Sequence, residues 1–152
     1  MSVPVRAPTE RSPRSPRWGF LARHWVRVGG EPFLGRLQVI QCPWFALLLT
    51  RIHGPDEGRD PHDHSRRFAS FILSGGYTET VFTDPGDLTC TRPRAHRAGS
   101  VHVMRPGHAH LITSVRGPLR TLVVAGRHRG TWSFWTAGGK VDWREYGAGE
   151  AA

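Results

Sequence analysis

Short runs of alternating apolar and polar residues, separated by turn residues, cover most of the chain. Alternation with a period of two predicts half-buried β-strands, and no stretch keeps a helical period over three turns. The predicted strands are 36–42, 45–53, 67–74, 77–83, 99–104, 109–115, 119–125 and 131–135. Short strands at this regular spacing predict an all-β fold, an antiparallel sandwich or barrel.

The segments between these strands have turn compositions: GPDEGRDP, GG, DPGD, RPG, RGP and AGG. Glycine permits positive φ, proline presets φ, and aspartate bonds its own backbone, so each composition favours a turn for a physical reason. The Gly-Gly pair at 75–76 therefore predicts a turn between strands 67–74 and 77–83.

A chain of 152 residues with 38% hydrophobic content fits one domain with one core. Residues 1–17 contain mainly proline, arginine and serine, a composition that does not bury enough apolar surface to order itself. We therefore predict a disordered basic arm at 1–17, a barrel domain at 18–146 and a flexible tail at 147–152.

The net charge of +9 would suit a nucleic-acid partner, but its distribution argues against one. Lys140 is the one lysine among the 21 basic residues, a skew typical of a GC-rich genome. Several arginines also lie in the predicted arm. A basic arm combined with a compositional bias explains the charge without a nucleic-acid surface.

Cys42 and Cys90 form no Cys-x-x-Cys motif, so reduced thiols are expected. The N-terminus lacks the continuous apolar core of a signal peptide, and the longest apolar run, FALLL at 45–49, is too short to span a bilayer. These features predict a cytoplasmic protein with no membrane partner.

The sequence PHDHSRRFASFILSGG, residues 61–76, places two histidines just before a predicted strand. Residues i and i+2 of a strand share a face, so His62 and His64 can offer two imidazole nitrogens to one ion. A solvated pair at a strand edge is the alternative. The segment GSVHVMRPGHAH, 99–110, offers two further histidines at the same spacing, His108 and His110, as candidates for a third ligand.

These two segments resemble the two conserved motifs of the cupin superfamily. His62, His64 and Gly75 match the first motif, although Phe68 stands where its glutamate belongs, and Gly99, Pro106 and His110 match the second with a plain Pro-Gly. The resemblance covers about residues 36–135. With the WSFW and WREY segments, it extends to a group of small bacterial and phage cupins.

The resemblance implies an antiparallel double-stranded β-helix, or jelly-roll barrel, that holds one divalent metal ion, with Fe(II) favoured over Zn, Ni or Mn. Phe68 has the same parity as His64 and faces the ion position, but an aromatic ring cannot coordinate it. His62, His64 and His110 would then form a three-histidine site with open positions. Glu79 is the carboxylate that could complete a larger ligand set.

Residues near this site suggest how a substrate is held. Arg66 has the parity of His64, and Arg51 and Arg105 lie on or beside the predicted pocket strands, so these arginines and Phe68 are the candidate substrate-binding residues. A buried guanidinium needs an anionic partner, which predicts a small anionic substrate. Glu79, His108 and Tyr77 are the candidate proton-transfer residues.

Two functions fit this set of residues. The first is a metal-dependent enzyme, dioxygenase-like or other, which acts on a small anion; the second is a ligand-binding or structural module without turnover. The aromatic segment 120–146 is interpreted as a flap over one barrel end, with a pocket wall as the alternative. A homodimer is expected on the family resemblance alone.

Overall fold

The computed structural model describes residues 10–11, 18–28, 30–56, 59–84 and 86–146. Every regular element among them is a strand. The strands β1 to β10, in chain order, are Glu10–Arg11, Gly19–Val28, Glu31–Gln41, Ala46–Ile52, Phe68–Phe82, Thr91–Arg97, Val101–Met104, Ala109–Ala125, Ser133–Thr136 and Gly139–Asp142. None of the described residues belongs to a helix that could cross a membrane.

All pairings between the strands are antiparallel, and the main sheet has the order β1-β2-β3-β4-β8-β5-β6, with β7 also paired to β5. Strands β9 and β10 form a separate hairpin. This arrangement confirms the predicted antiparallel jelly-roll fold. Of the predicted arm, the structure describes the backbone of Glu10–Arg11, which pairs with β2; the remainder of the arm and the tail 147–152 lie outside the described residues.

Besides the two-residue β1, three strands were not predicted as such. Strand β2 contains two arginines and a histidine and leaves alternate residues exposed, so its apolar alternation is weak. Strand β6, TRPRAHR, is almost entirely exposed and contains a proline, which is compatible with an edge strand. Strand β10 has four residues and depends on its partner β9. In each case pairing, rather than burial of an apolar face, makes the strand.

The predicted turn at Gly75–Gly76 is wrong, because both glycines lie inside the continuous strand β5. A Cβ on Gly75 would lie 2.7 Å from the Arg116 carbonyl oxygen, and one on Gly76 would lie 2.6 Å from that of His96. Register shifts flank this point of β5. The glycines therefore let neighbouring strands approach closely and bend, as at a β-bulge.

The predicted break at Gly117–Pro118 is wrong for the same reason, since 109–115 and 119–125 belong to the single strand β8. Together β5 and β8 form the longest pairing of the sheet, which extends from Phe68↔Ala125 to Phe82↔Ala109. Inward side chains from both strands therefore reach the interior along the whole barrel. This pairing carries Glu79 and His110 into the same region.

The interior has apolar and polar parts. Ile72, Tyr77, Ile112 and Leu119 form one buried cluster, and Ala46, Leu48 and Ala125 form another, against which Phe68 packs. Buried polar side chains also point inward, among them Gln38, Glu79, His102 and His110. Cys42 is buried, Cys90 is exposed and both are free, as expected.

Candidate metal centre

The His62–His64 segment lies between β4 and β5 and is held by backbone hydrogen bonds. The amide and carbonyl of His62 exchange two bonds of 3.0 Å with His110 of β8, and His62 also bridges to Phe134 of β9. This extended geometry puts the two histidine side chains on one face, as their spacing predicts.

Asp63, between the two histidines, projects to the opposite face. Its carboxylate accepts hydrogen bonds from the Ser133 amide at 2.7 Å, the Trp135 indole at 2.9 Å and the Lys140 ammonium at 3.0 Å. These bonds attach the β9–β10 hairpin to the histidine segment. The His-Asp-His sequence therefore combines two candidate ligands with the anchor that fixes their backbone.

His62, His64 and His110, here called the imidazole triad, bring one ring nitrogen each to within 4.8 Å of one another. The Nε2 atoms of His64 and His110 are 2.9 Å apart. Two nitrogens bound to one ion at about 2.0–2.1 Å each are about 2.9–3.4 Å apart for angles between right and tetrahedral. The Nδ1 atom of His62 is buried without a hydrogen-bond partner. The donor set therefore fits a divalent transition metal.

Glu79 orients the third candidate ligand. Its Oε2 lies 2.6 Å from Nδ1 of His110, so the Nδ1–H donates to the carboxylate and leaves the His110 Nε2 lone pair facing His64. Ligating histidines commonly donate their second N–H to a carboxylate in this way, which fixes the tautomer and raises ligand basicity. Glu79 therefore contacts the triad through His110.

The other oxygen of Glu79 faces two more histidines. Its Oε1 lies 2.9 Å from His96 Nε2 and 3.3 Å from His102 Nε2, and the Tyr77 hydroxyl lies 2.7 Å from His102 Nδ1. The His96 and His102 rings stack at 4.5 Å. We call Tyr77, Glu79, His96 and His102 the Glu79 network.

The surrounding protein sets the protonation states of His62, His64 and Glu79. Burial lowers the pKa of His62 and of His64 well below the usual range, and His110 lowers both further, so both rings are neutral ligands at neutral pH. Burial alone would raise the pKa of Glu79, but hydrogen bonds from His110 and His96 outweigh it and hold that pKa well below its usual range. The ionised Glu79 carboxylate thus lies behind His110, in a site that also contains two neutral imidazoles.

Two members of the Glu79 network stay neutral. Burial lowers the pKa of His102 to about 4, despite the opposing effect of Glu79. Burial also raises the pKa of Tyr77, and Glu79 raises it further. Tyr77 therefore stays protonated and donates a hydrogen bond to His102 Nδ1. The Nε2 atom of His102 faces Glu79 but has no hydrogen-bond partner among the described residues.

The predicted substrate-binding residues occupy different places. The ring of Phe68 lies edge-on to His64, with centroids 4.9 Å apart. Arg66 is partly buried and its guanidinium donates to the Gly126 carbonyl at 3.5 Å. Arg51 and Arg105 are exposed.

The predicted proton-transfer residues also lie in different parts of the structure. Tyr77 and Glu79 are buried in the Glu79 network. His108 is partly buried in the loop before β8 and belongs to neither group of converging nitrogens and oxygens.

The aromatic segment contributes to both a seal and a wall. Phe134 and Trp135 are almost fully buried, and Phe134 stacks on Tyr146 at 3.6 Å, as a flap over the barrel end requires. Trp132, however, lies edge-on to His62 at 6.0 Å. The flap and the edge of the metal centre therefore share this segment.

Several residues at the site were missed by the sequence interpretation: Arg36, Asp63, His96 and His102. The alternation in VHVM, 101–104, is a signal that could have placed His102 inward beside Met104. His96 had no comparable signal, because the exposed strand β6 was not predicted. Arg36 and Asp63 needed strand registers that the sequence alone does not provide.

No family model matches the chain, and no curated protein matches it with significant similarity. Solved structures do resemble it. A Ralstonia eutropha JMP134 protein provisionally assigned as a mannose-6-phosphate isomerase has a TM-score of 0.54 and 17% identity, over 64% of this chain and 88% of that one. The polyketide cyclase RemF from Streptomyces resistomycificus has a TM-score of 0.52 and 22% identity, over 74% of this chain and 77% of that one.

A third structure, Streptomyces albus HEPD with 2-hydroxyethylphosphonate and Fe(II) bound, has a TM-score of 0.52 and 14% identity, over 66% of this chain and 22% of that one. At these identities the likeness is one of fold. The neighbours are cupin jelly rolls. This chain has the fold of the cupin superfamily.

Proposed function

We propose that the protein binds one divalent metal ion through the imidazole triad and is a metal-dependent enzyme acting on a small anionic molecule. One observation carries the proposal: His64 and His110 direct their Nε2 atoms at each other at 2.9 Å while Glu79 engages the far side of His110. A hydrogen bond between two imidazoles would also have that length, but the carboxylate behind His110 favours a cation in front of it.

A set of three imidazole ligands favours catalysis over a structural role, because structural ions are usually enclosed by four protein ligands. When bound, the ion supplies a Lewis acid or a redox centre beside open coordination positions. Phe68, edge-on to His64, occupies one flank without coordinating. Fe(II) is the preferred ion, and the Fe(II) named with HEPD is consistent with that choice on the same fold.

The chain's own residues define the anionic substrate. Arg66 is partly buried beside the triad segment, and desolvation lowers its pKa, so an anion would compensate a charge that the surroundings disfavour. His108, in the loop immediately before β8, is the proposed proton-transfer residue, since Glu79 and Tyr77 are both bonded within the Glu79 network. Dioxygenase-like chemistry is the first reaction class to test.

A binding module without turnover is the second candidate. The engagement of Glu79 favours it, because both carboxylate oxygens already bond to histidines and neither is left to act as a base. Oxygen uptake with thiols or keto acids separates the two candidates. Turnover that requires the metal supports the enzyme, whereas tight anion binding without any turnover supports the module.

Elemental analysis of protein reconstituted anaerobically with Fe(II), Zn(II), Ni(II) or Mn(II) tests the metal site. We expect about one equivalent of metal in the unaltered protein and almost none after His62→Ala, His64→Ala or His110→Ala. His53→Ala and His128→Ala, at two exposed histidines, are the matched controls and should keep the metal. Metal that persists when all three triad histidines are replaced would disprove the site.

A further inference from the structure

Strand β3 has two polar residues, Arg36 and Gln38, on one face. Gln38 pairs with Leu48, and Arg36 pairs with Thr50, and both partners on β4 are buried inward residues. Because residues i and i+2 share a face, Arg36 and Gln38 point to the same side as the imidazole triad. The two positions are about 7 Å apart along the strand, which is within the length of one small molecule.

Gln38 is fully buried, and neither its Nε2 nor its Oε1 has a hydrogen-bond partner among the described residues. Buried amides are normally bonded, because an unpaired donor or acceptor keeps its desolvation cost without compensation. Gln38 therefore offers one unused donor and one unused acceptor inside the barrel. A ligand hydroxyl group can both accept from the amide nitrogen and donate to the amide oxygen.

Arg36 is exposed to solvent, whereas Gln38 is buried. The Arg36 side chain remains accessible, yet it lies close enough to affect the charge of His64, whose pKa it helps to lower. Desolvation by the surrounding barrel atoms lowers the pKa of Arg36 itself, and Arg66 lowers it further. Two guanidinium groups near neutral histidines form a cationic entrance that favours a carboxylate.

We propose that Arg36 and Gln38 are the recognition face for a small carboxylate that also carries a hydroxyl group. Arg36 holds the carboxylate at the barrel entrance, and the Gln38 amide bonds the hydroxyl in the interior. The assignment rests on the proposed function in one respect, since it gives the substrate class of the same site. It adds that Gln38 selects hydroxylated over plain carboxylates.

Calorimetric titration with L-lactate and with propionate, which lacks the hydroxyl, tests this selectivity. The titrations use protein loaded with Zn(II), which does not turn over by redox chemistry, and protein treated with a chelator. We expect lactate to bind about tenfold tighter than propionate, on the scale of one or two hydrogen bonds. Gln38→Leu should reduce this ratio to about one and leave propionate affinity within about twofold.

Arginine variants test the other half of the face. Arg36→Met should weaken both ligands by about tenfold. Arg23→Met removes the same charge from the neighbouring strand β2, where Arg23 is exposed and pairs with Leu37, and should leave both affinities within about twofold. If Gln38→Leu fails to fold, Gln38→Asn keeps the amide but shortens its reach, and it too should lose the preference.

Three results would overturn the assignment: equal binding of lactate and propionate, a preference that survives both Gln38 variants, or equal effects of Arg36→Met and Arg23→Met. A preference that survives and requires Zn(II) would belong to chelation by the ion. Zinc content is measured in the same samples. A Gln38-dependent preference without bound zinc would refute the metal proposal alone, whereas normal zinc binding without that preference would refute the recognition face alone.

Discussion

The imidazole triad and the Glu79 network both bring histidines together, but they solve the problem of a buried polar cluster in different ways. In the network, Glu79 supplies a negative charge that accepts bonds from His96 and His110. In the triad, three nitrogens converge without any carboxylate among them. The network contains its own negative charge, whereas the triad consists of nitrogen donors only. The bond between Glu79 and His110 joins the two.

Replacing the residue that the two clusters share should have the largest effect. His110→Ala removes a ligand and leaves the buried Glu79 without its shortest bond, so metal content should fall to nearly zero and the free energy of unfolding by about 3–5 kcal/mol. Elemental analysis and denaturant unfolding measure the two effects. His108→Ala, two residues earlier, should keep both the metal and the stability, although we expect it to impair any activity. Full metal content in His110→Ala would remove His110 from the triad.

The second largest effect is expected from acid, which should lower the free energy of unfolding through the buried histidines. The pKa of His102 is about 4 in the folded protein, against about 6.5 when exposed. Between these values the unfolded chain binds a proton that the folded protein does not, so stability falls as pH drops, by about 1.4 kcal/mol per pH unit for this group. The neutral His62 and His64 add to the loss, while Glu79, with its lowered pKa, adds to it only below about pH 4.5.

Unfolding of chelator-treated protein between pH 7 and 4.5 measures this dependence. In His102→Gln the slope of the free energy of unfolding against pH should decrease by up to about 1.4 kcal/mol per pH unit, which corresponds to one proton, since that site no longer titrates. A stability that is flat across this range would show that the buried histidines are not held neutral.

Glu79→Gln should weaken the connection between the clusters without removing a ligand. Loss of the carboxylate charge behind a ligating histidine typically lowers metal affinity about 10- to 100-fold. Competition with a chelator of known affinity measures the change, and metal content at saturating metal should remain near one equivalent. Complete loss of metal would instead make Glu79 a direct ligand.

Phe68→Glu should make the triad resemble a closed site. Phe68 is edge-on to His64, so a carboxylate there can reach the ion position and should tighten metal binding on the order of tenfold, about 1.4 kcal/mol. Phe68→Leu, which adds no ligand, is the control. Stability without metal should fall in Phe68→Glu, because the new charge is partly buried near apolar residues. Unchanged affinity in Phe68→Glu would place the ion elsewhere.

Tyr77→Phe should have the smallest effect, because Tyr77 lies at the end of the network farthest from the triad. Loss of the bond to His102 should lower the free energy of unfolding by about 1 kcal/mol and leave metal affinity unchanged. Thermal unfolding and the same chelator competition measure both quantities. A large loss of metal affinity would show that the hydrogen bond between Tyr77 and His102 also affects the triad and does not act on stability alone.

Sequence alone was sufficient for local patterns. Alternating apolar residues predicted most strands, and the spacing of His62 and His64 placed both on one face, as the structure has them. His110 was the preferred third ligand and lies with them. These features depend on periods of a few residues, which the order of amino acids specifies directly.

Tertiary structure decided which distant residues meet. Gly75–Gly76 has the composition of a turn, but close approach of Arg116 and His96 makes it a bend within β5. Asp63, His96 and Arg36 gained their places through pairings with β9, β5 and β4, respectively. Glu79, considered as a ligand in the sequence, faces His110 Nδ1 because β5 and β8 pair in one register. Strand register is set by packing over the whole sheet, so it is not written in any short segment.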